Sequence, residues 1–338
     1  MSASPFEIRP FRRSDRDQLT RLVNAHVAAV IPGARVSVNA VLSQLEREPG
    51  EFVVDHWVGE RHTLVAEQQG SVVAAAHLLR HRHDPDVVPA YRNTGSIRWL
   101  LHWPLAPEGN PHWNDGVAAA EGLLGRAVEQ FERWSVSRQL ADISLPTPGV
   151  YGVPDQWPHV ARALERAGFV QRGRTELVLL AEMAKLVAED PAPVDGLTVE
   201  RSVGMSGTRF TAVGAAGGAP LALVEADVVD RGDARASGRP LADVGNLWVD
   251  PDHRRRGVGR WLLGRAALWL RLGGVDRILG YAWPDQIDDP DEQASLAFHL
   301  ACGFHPITRT RKGWERVPQS GPGRAGNRQE AAVGRHGG

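Results

Sequence analysis

Polar and apolar residues alternate over short stretches of this chain and then switch to a helical period, and the switch occurs in the same order twice. In the first half, Glu7 to Phe11 reads as a strand, and Ser14 to Val30 and Asn39 to Glu48 read as helices. Thr63 to Glu67 and Val72 to Leu79 flank Gln69-Gly70, which predicts a hairpin. Strand Ile97 to His102, helix Ala118 to Arg138, strand Asp142 to Leu145, helix Trp157 to Ala167 and strand Thr175 to Leu180 follow. The second half repeats the series without the opening helices. Leu197 to Arg201, Thr208 to Gly214, Leu221 to Val229 and Val244 to Val249 read as strands. Helix Val258 to Leu272, strand Arg277 to Tyr281 and helix Gln293 to Ala301 complete it. Such alternation predicts an α/β (α+β) chain, each half a mixed, mostly antiparallel sheet flanked by helices.

Three short matches support a duplication. Leu123-Leu124-Gly125-Arg126-Ala127 recurs at Leu262 to Ala266, Pro154-Asp155-Gln156 at Pro284 to Gln286, and Ala167-Gly168-Phe169 corresponds to Cys302-Gly303-Phe304. All three keep the same order, as a repeated unit requires. Residues 188–196 are rich in Pro and acids and read as a linker. The expected division is 1–187, a linker at 188–196, a second domain at 197–317, and a disordered tail at 318–338 without apolar period. His81 to Gly95 reads as a long loop inside the first half.

Composition narrows the partners. A formal charge of −1 gives no overall electrostatic case for nucleic acid or for an anionic membrane. Cys302 is the only cysteine, so a disulfide within the chain and a cysteine zinc site are both excluded. No run of about 18 apolar residues is present, and Met1 to Arg13 has no apolar core of a secretory signal, so a cytoplasmic protein is expected.

The chemistry concentrates in Asn246-Leu247-Trp248-Val249-Asp250-Pro251-Asp252-His253-Arg254-Arg255-Arg256-Gly257-Val258-Gly259-Arg260. A strand ends, Pro251 breaks it, and a Gly-containing turn opens an almost wholly apolar helix. The first N–H groups of that helix lack internal partners and carry partial positive charge. Gly257 and Gly259 allow close approach to the backbone, and four arginines (Arg254, Arg255, Arg256, Arg260) add full charge, so the segment reads as a pyrophosphate cradle. A Walker loop would need Gly-Lys-Ser/Thr, and a dinucleotide fingerprint a third Gly where Leu262 stands. Arg254 to Gly259 instead spell Arg-x-x-Gly-x-Gly after a Leu-Trp-Val strand. Here the sequence resembles the GNAT N-acetyltransferase superfamily, and the two-copy arrangement resembles its tandem, mycothiol-synthase-like members.

That resemblance implies acetyl-CoA as cosubstrate, with no metal. Its pantetheine would lie beside the main chain of Leu247, Trp248 and Val249, with Gly245 easing the strand distortion. The cradle would be Arg254, Arg255, Arg256, Gly257, Val258, Gly259 and Arg260. It also implies acetyl transfer to a primary amine of a small molecule or peptide, by a monomer or homodimer. The competing class is an inert acyl-CoA-binding or scaffolding protein. Asp243, four residues before Leu247, is the candidate base, against a plain strand-entry carboxylate; Glu225, in mid-strand, is the second candidate. The family's usual thiolate acid is a Tyr four residues before the Gly-Phe pair. His299 stands there instead, either as a donor or as a packed helix residue, with Tyr281 as the alternative. The family's Asn at the start of that helix is replaced by Glu292.

Three further features weigh less. The acidic run Asp285 to Glu292 fits an amine-attracting patch or a solvated helix cap. His77, His81 and His83 read as a surface cluster rather than a metal site. Trp99, Trp103 and Trp113 read as core packing, with a pocket lining as the alternative. In the first half the repeat offset puts Asp115, Ala118 and Ala120 where the cradle has Arg254, Gly257 and Gly259, so that copy is expected to lack ordinary CoA binding.

Overall fold

The computed structural model describes residues 6–47, 57–102, 116–187, 191–205, 207–215, 217–228, 240–284 and 289–317. The first half runs β1 (Glu7–Pro10), α1 (Arg16–Val30), α2 (Val38–Leu45), β2 (Val58–Gln68), β3 (Ser71–His81), β4 (Thr94–His102), α3 (Gly116–Arg133), β5 (Arg138–Ala141), β6 (Val153–Pro154), α4 (Pro158–Arg166), β7 (Val170–Gln171), β8 (Thr175–Glu182) and α5 (Met183–Leu186). The second runs β9 (Thr198–Val203), β10 (Thr208–Val213), β11 (Ala222–Val228), β12 (Leu241–Val249), α6 (Val258–Leu272), β13 (Arg277–Ala282), α7 (Pro290–Ala301), β14 (His305–Arg311) and β15 (Trp314–Arg316). Local chemistry sets several boundaries. Gln69 and Gly70, both left-handed, make the two-residue turn between β2 and β3. Asp289 caps α7 by accepting from Asp291 and Glu292 N–H, with Pro290 in the first turn.

The two sheets do not separate at the 188–196 linker. One has the order β1-β2-β3-β4-β5-β15-β7, the other β6-β14-β8-β13-β12-β11-β10-β9. The strand expected to end the first half, at 175–180, lies instead between β13 and β14 of the second sheet. In return β15 enters the first sheet between β5 and β7. The halves have exchanged their last strands. Apolar alternation shows why β8 tolerates this position: Val178 and Leu180 belong to the core under α1 and α3, while Leu177, Leu179 and Ala181 belong to the core under α6. A strand buried on both faces reads as a continuous apolar run, which pattern alone assigns to either sheet.

Both sheets are mixed and mostly antiparallel, and they repeat one unusual detail. β12 pairs parallel with β13 only over Leu241 to Asp243, and β4 with β5 only over Thr94 to Ser96. Beyond those three residues each pair separates. Each inner strand also carries a bulge, at Gly245 opposite Glu225/Ala226 and at Arg98 opposite His77/Leu78. These registers match Arg98 to Gly245 and His102 to Val249.

Other expectations change. The helix expected to reach Arg138 stops at Arg133, because Ser135 is left-handed, and Arg138 starts β5. His77 and His81 are buried, each bonded to a threonine (Thr63 Oγ1 at 2.8 Å and Thr94 Oγ1 at 3.1 Å), and do not form the expected surface cluster. Among the described residues no group of three or more His, Cys, Asp or Glu is arranged to hold a metal. Trp99 is core, with its indole N–H donated to Gln44. Trp103, Trp113, Asp115, Asp285 to Asp288 and the 318–338 tail lie outside the described residues. No described helix is long and apolar enough to cross a membrane.

Two predictions follow from this packing. Trp314→Ala removes a fully buried aromatic and should cost about 3–5 kcal/mol. Because β15 sits in the first sheet, hydrogen exchange should rise at Gln139 and Leu140; a rise confined to the last strands would refute the exchange. Burial also holds His26, His77 and His102 down to about 3 and His159 to about 4. The unfolded chain takes up protons below about 6.5 while these rings stay neutral, so it binds more protons across that window. Urea midpoints should therefore fall steadily as pH drops from about 6.5 towards 4.

Candidate active site

The separation of β12 from β13 opens a cavity of about 1430 Å³. Its walls are β12, the connection from Pro251 to Gly257, the start of α6, the end of β13 with Trp283, one face of α7, and three residues from farther off in the chain: Tyr151, Glu176 and Lys312. Tyr151 and Glu176 precede the linker, so both halves build the chamber.

At one end lies the helix start. Gly257 caps α6 with φ 83° and, having no side chain, makes no cap bond to the first turn. The first helical bond is Trp261 N–H to Gly257 O at 3.0 Å, so the N–H groups of Val258, Gly259 and Arg260 have no partner within the helix. Arg255 is also left-handed (φ 58°), which curls the preceding backbone into a concave turn. An uncapped helix start facing a cavity suits an anion. The two glycines have different reasons. Gly257 is required by its backbone angle. At Gly259 a Cβ would lie 2.9 Å from Val249 Cγ2 and 3.3 Å from Phe298, so there glycine lets the helix pack on the strand and on α7.

The four arginines also divide. Arg255 and Arg260 line the cavity; Arg256 does not. Arg254 is committed, with Nη1 2.7 Å from Asp291 Oδ1 and Nε donating to Val249 O at 3.2 Å. It ties the loop to α7. Leu247, Trp248 and Val249 line the cavity beyond the bulge, and Trp248 is 38% exposed. The described part of the acidic run acts structurally, Asp289 as a cap and Asp291 as the partner of Arg254. Glu292 lines the cavity.

At the other end stand Asp243 and Tyr281. Asp243 Oδ1 and the Tyr281 hydroxyl are buried, and neither has a hydrogen bond of acceptable geometry. Burial pushes the Asp243 carboxyl up to about 6; the nearby Tyr281 hydroxyl draws it partway back, and the carboxylates of Asp227 and Glu176 raise it further. Tyr151 is pushed up to about 12 and Tyr281 higher still, both mainly by burial, so both keep their protons at neutral pH. Glu176 is buried beside Lys312, whose Nζ lies 2.7 Å from its Oε2 and 5.7 Å from the Tyr151 ring centre.

Two candidates from sequence stand differently in the structure, Glu225 outside the cavity wall and His299 within it. Glu225 is only 2% exposed and lies outside the cavity wall; Arg209 Nε donates to its Oε1 at 2.6 Å, making it half of a structural ion pair. His299 is 4% exposed, and its Nδ1 donates to Ser295 O at 2.8 Å. That tautomer leaves Nε2 without a proton. The ring packs against Gly280, where a Cβ would lie 2.9 Å from Nε2, and meets Phe304 edge-on at 5.0 Å. Burial lowers its pKa, so the ring is neutral and has no proton to release on that side. Sequence reasoning missed Tyr151, Glu176 and Lys312. No local signal marked them, because they reach the site only through the exchanged strands and the loop before β6.

The strand that splays after a bulge beside a glycine-rich helix start lies within the part of the chain on which the family comparison falls. Residues 189–304 match the acetyltransferase (GNAT) family. None of the curated proteins matches the chain. Among solved structures, a tandem GNAT protein from the clavulanic acid biosynthesis pathway is similar over 92% of this chain and 98% of its own, at 16% identity and a TM-score of 0.62. A GCN5-related N-acetyltransferase from Sphaerobacter thermophilus is similar over 94% and 96%, at 13% identity and a TM-score of 0.53. A GCN5-related glucosamine N-acetyltransferase region of a fungal multi-domain β-N-acetylglucosaminidase is similar over 93% of this chain and 38% of that one, at 15% identity and a TM-score of 0.57. The chain thus has the tandem GNAT fold, with residues 189–304 as its family-matched acetyltransferase domain.

The different duties of the two glycines are testable. Gly257→Ala forces an L-residue to φ 83° and should distort the helix start and any anion site there, with a modest fall in melting temperature from about 1–2 kcal/mol of backbone strain. Gly259→Val should instead lower the melting temperature strongly, because its side chain meets Val249 and Phe298. Equal effects of both variants on CoA affinity at unchanged stability would contradict the division.

Proposed function

We propose that this protein transfers an acetyl group from acetyl-CoA to a primary amine, with binding and chemistry in the β12–β13 cavity. The observation that carries the reading is the juxtaposition, in one chamber, of an uncapped helix start and a carboxylate poised near pH 6. The N–H groups of Val258, Gly259 and Arg260, with Arg255 and Arg260, receive the pyrophosphate, and the strand edge from Leu247 to Val249 receives the pantetheine arm. The bound cosubstrate supplies a thioester carbonyl open to attack. Asp243 takes the proton that the acceptor ammonium must lose before its nitrogen is nucleophilic. Tyr281 holds a proton beside Asp243 and gives it to sulfur as the carbon–sulfur bond breaks. Asp243 then returns the amine's proton to Tyr281, so the net transfer is from nitrogen to sulfur. His299 has a packing role in this scheme.

The first copy has the same frame with the gap filled. Ser144 N–H donates to Arg98 O at 2.9 Å, and the His26 ring lies 3.1 Å from His102 O. Those carbonyls correspond to Gly245 and Val249, so the positions that would meet pantetheine are already bonded or covered. One acyl-CoA per chain is therefore expected by calorimetry. Cytoplasmic location remains part of this reading.

Asp243→Asn should lower kcat/KM for a substrate amine by about 10²–10⁴-fold, with CoA affinity unchanged. The base works ionised, so kcat/KM in the native protein should rise with pH through about 6 and level off above it. Native turnover by Asp243→Asn would remove Asp243 as the base, whereas no release of CoA thiol with any amine despite acetyl-CoA binding would favour an inert acyl-CoA-binding protein.

A further inference from the structure

The acid end of the cavity holds more negative charge than the fold requires. In the β11–β12 ladder Asp227 is the direct partner of Asp243, so both side chains leave the sheet on the same face. Like charges placed opposite each other weaken a ladder. Among the described residues no Arg, Lys or His forms an ion pair with either carboxylate. Glu176 brings a third carboxylate, but Lys312 meets it at 2.7 Å. That pairing removes the one cation among the described residues that lines this end of the chamber; Arg255 and Arg260 stand at the helix start. Two uncompensated carboxylates remain, Asp243 in the wall near the rings of Tyr151, Tyr281 and Trp283 and Asp227 exposed beside it outside the wall, and among the described residues no free cation lines this end to meet an anion on the acceptor.

We propose that the acceptor is a small organic cation lacking a carboxylate beside its amine: an alkyl or aryl amine or a polyamine, rather than an amino acid. Asp227 and Asp243 together receive the ammonium, and the aromatic rings cover its apolar or cationic remainder. Asp243 then takes the proton from the nitrogen it has bound. An α-carboxylate on the same acceptor would be carried against two carboxylates with no partner of its own. This selection rests on the acetyltransferase reading and adds the acceptor's charge class to it. It also gives the strand exchange a chemical role. Glu176 on β8 holds Lys312, from the turn before β15, away from the carboxylate pair.

The test uses pairs of compounds that differ by one carboxylate: cadaverine and lysine, agmatine and arginine, tyramine and tyrosine. Binding to the full chain saturated with CoA is measured by calorimetry, and thiol release is followed with acetyl-CoA. In at least one pair the decarboxylated member should bind on the order of 10–100-fold more tightly, and kcat/KM should follow, as expected for a carboxylate held near like charge at intermediate dielectric. Asp227→Asn should weaken amine binding about tenfold and move the pH midpoint of kcat/KM downwards, because a like charge beside Asp243 is gone. A residue that only shaped the sheet would leave that midpoint in place. Tighter binding or faster turnover of the amino acids overturns the proposal, as does acetyl-CoA binding with no affinity for any of the amines. If acetyl-CoA itself fails to bind, the acetyltransferase reading fails first.

Discussion

Everything in this molecule depends on the reciprocal placement of two strands. β8 leaves the first half to lie between β13 and β14, and β15 returns to lie between β5 and β7. Each therefore completes a ladder whose other members come from the opposite copy, and neither half has a continuous sheet without the other. The backbone groups of an interior strand need partners on both sides, and an unpaired buried polar group is costly. β8 adds a second coupling because its two faces belong to different cores. The halves are thus one cooperative body, in spite of the Pro-rich segment that joins them in sequence.

The same construction explains how two copies of one frame diverge in use. Both have a bulged inner strand that leaves its parallel neighbour after three residues. In the first copy the resulting gap is closed by Ser144 and by the imidazole of His26, and Trp157 packs edge-on against that ring at 5.1 Å. In the second copy the gap stays open, lined by Gly245 and by the strand beyond it. Duplication supplied the frame twice; side-chain packing decides which copy keeps a cavity.

Charge within the cavity is sorted along its length. Partial positive charge from the helix start and the guanidinium groups of Arg255 and Arg260 occupy one end, and Asp243 and Glu176 occupy the other, with Asp227 beside Asp243 outside the wall. Burial keeps the two tyrosines protonated and brings Asp243 into a range where it is ionised yet basic near neutrality. Lys312 tempers the acid end through Glu176 and comes from the far end of the chain.

The sequence by itself determined most of the elements, the duplication and the glycine-rich start of α6. α6 was readable to both boundaries, and Arg254 to Gly259 announced the helix start, because hydrophobic period, capping and glycine spacing act over a few residues. Asp243 was legible for the same reason, as it lies on the strand that leads into that motif. What only the tertiary structure decided was partnership. A run such as Leu177 to Ala181 satisfies any interior position, so nothing local assigns it to the second sheet. Whether Glu225 and Arg254 are free or committed depends on Arg209 and Asp291, one on a neighbouring strand and one on a helix 37 residues away. His299 occupies the family's acid position, yet its proton is committed to a carbonyl one helical turn back, and its burial is set by Gly280 and Phe304. Tyr151, Glu176 and Lys312 carry no motif, because their role comes from long-range chain placement, and that is fixed by burial and ladder completion over the whole molecule.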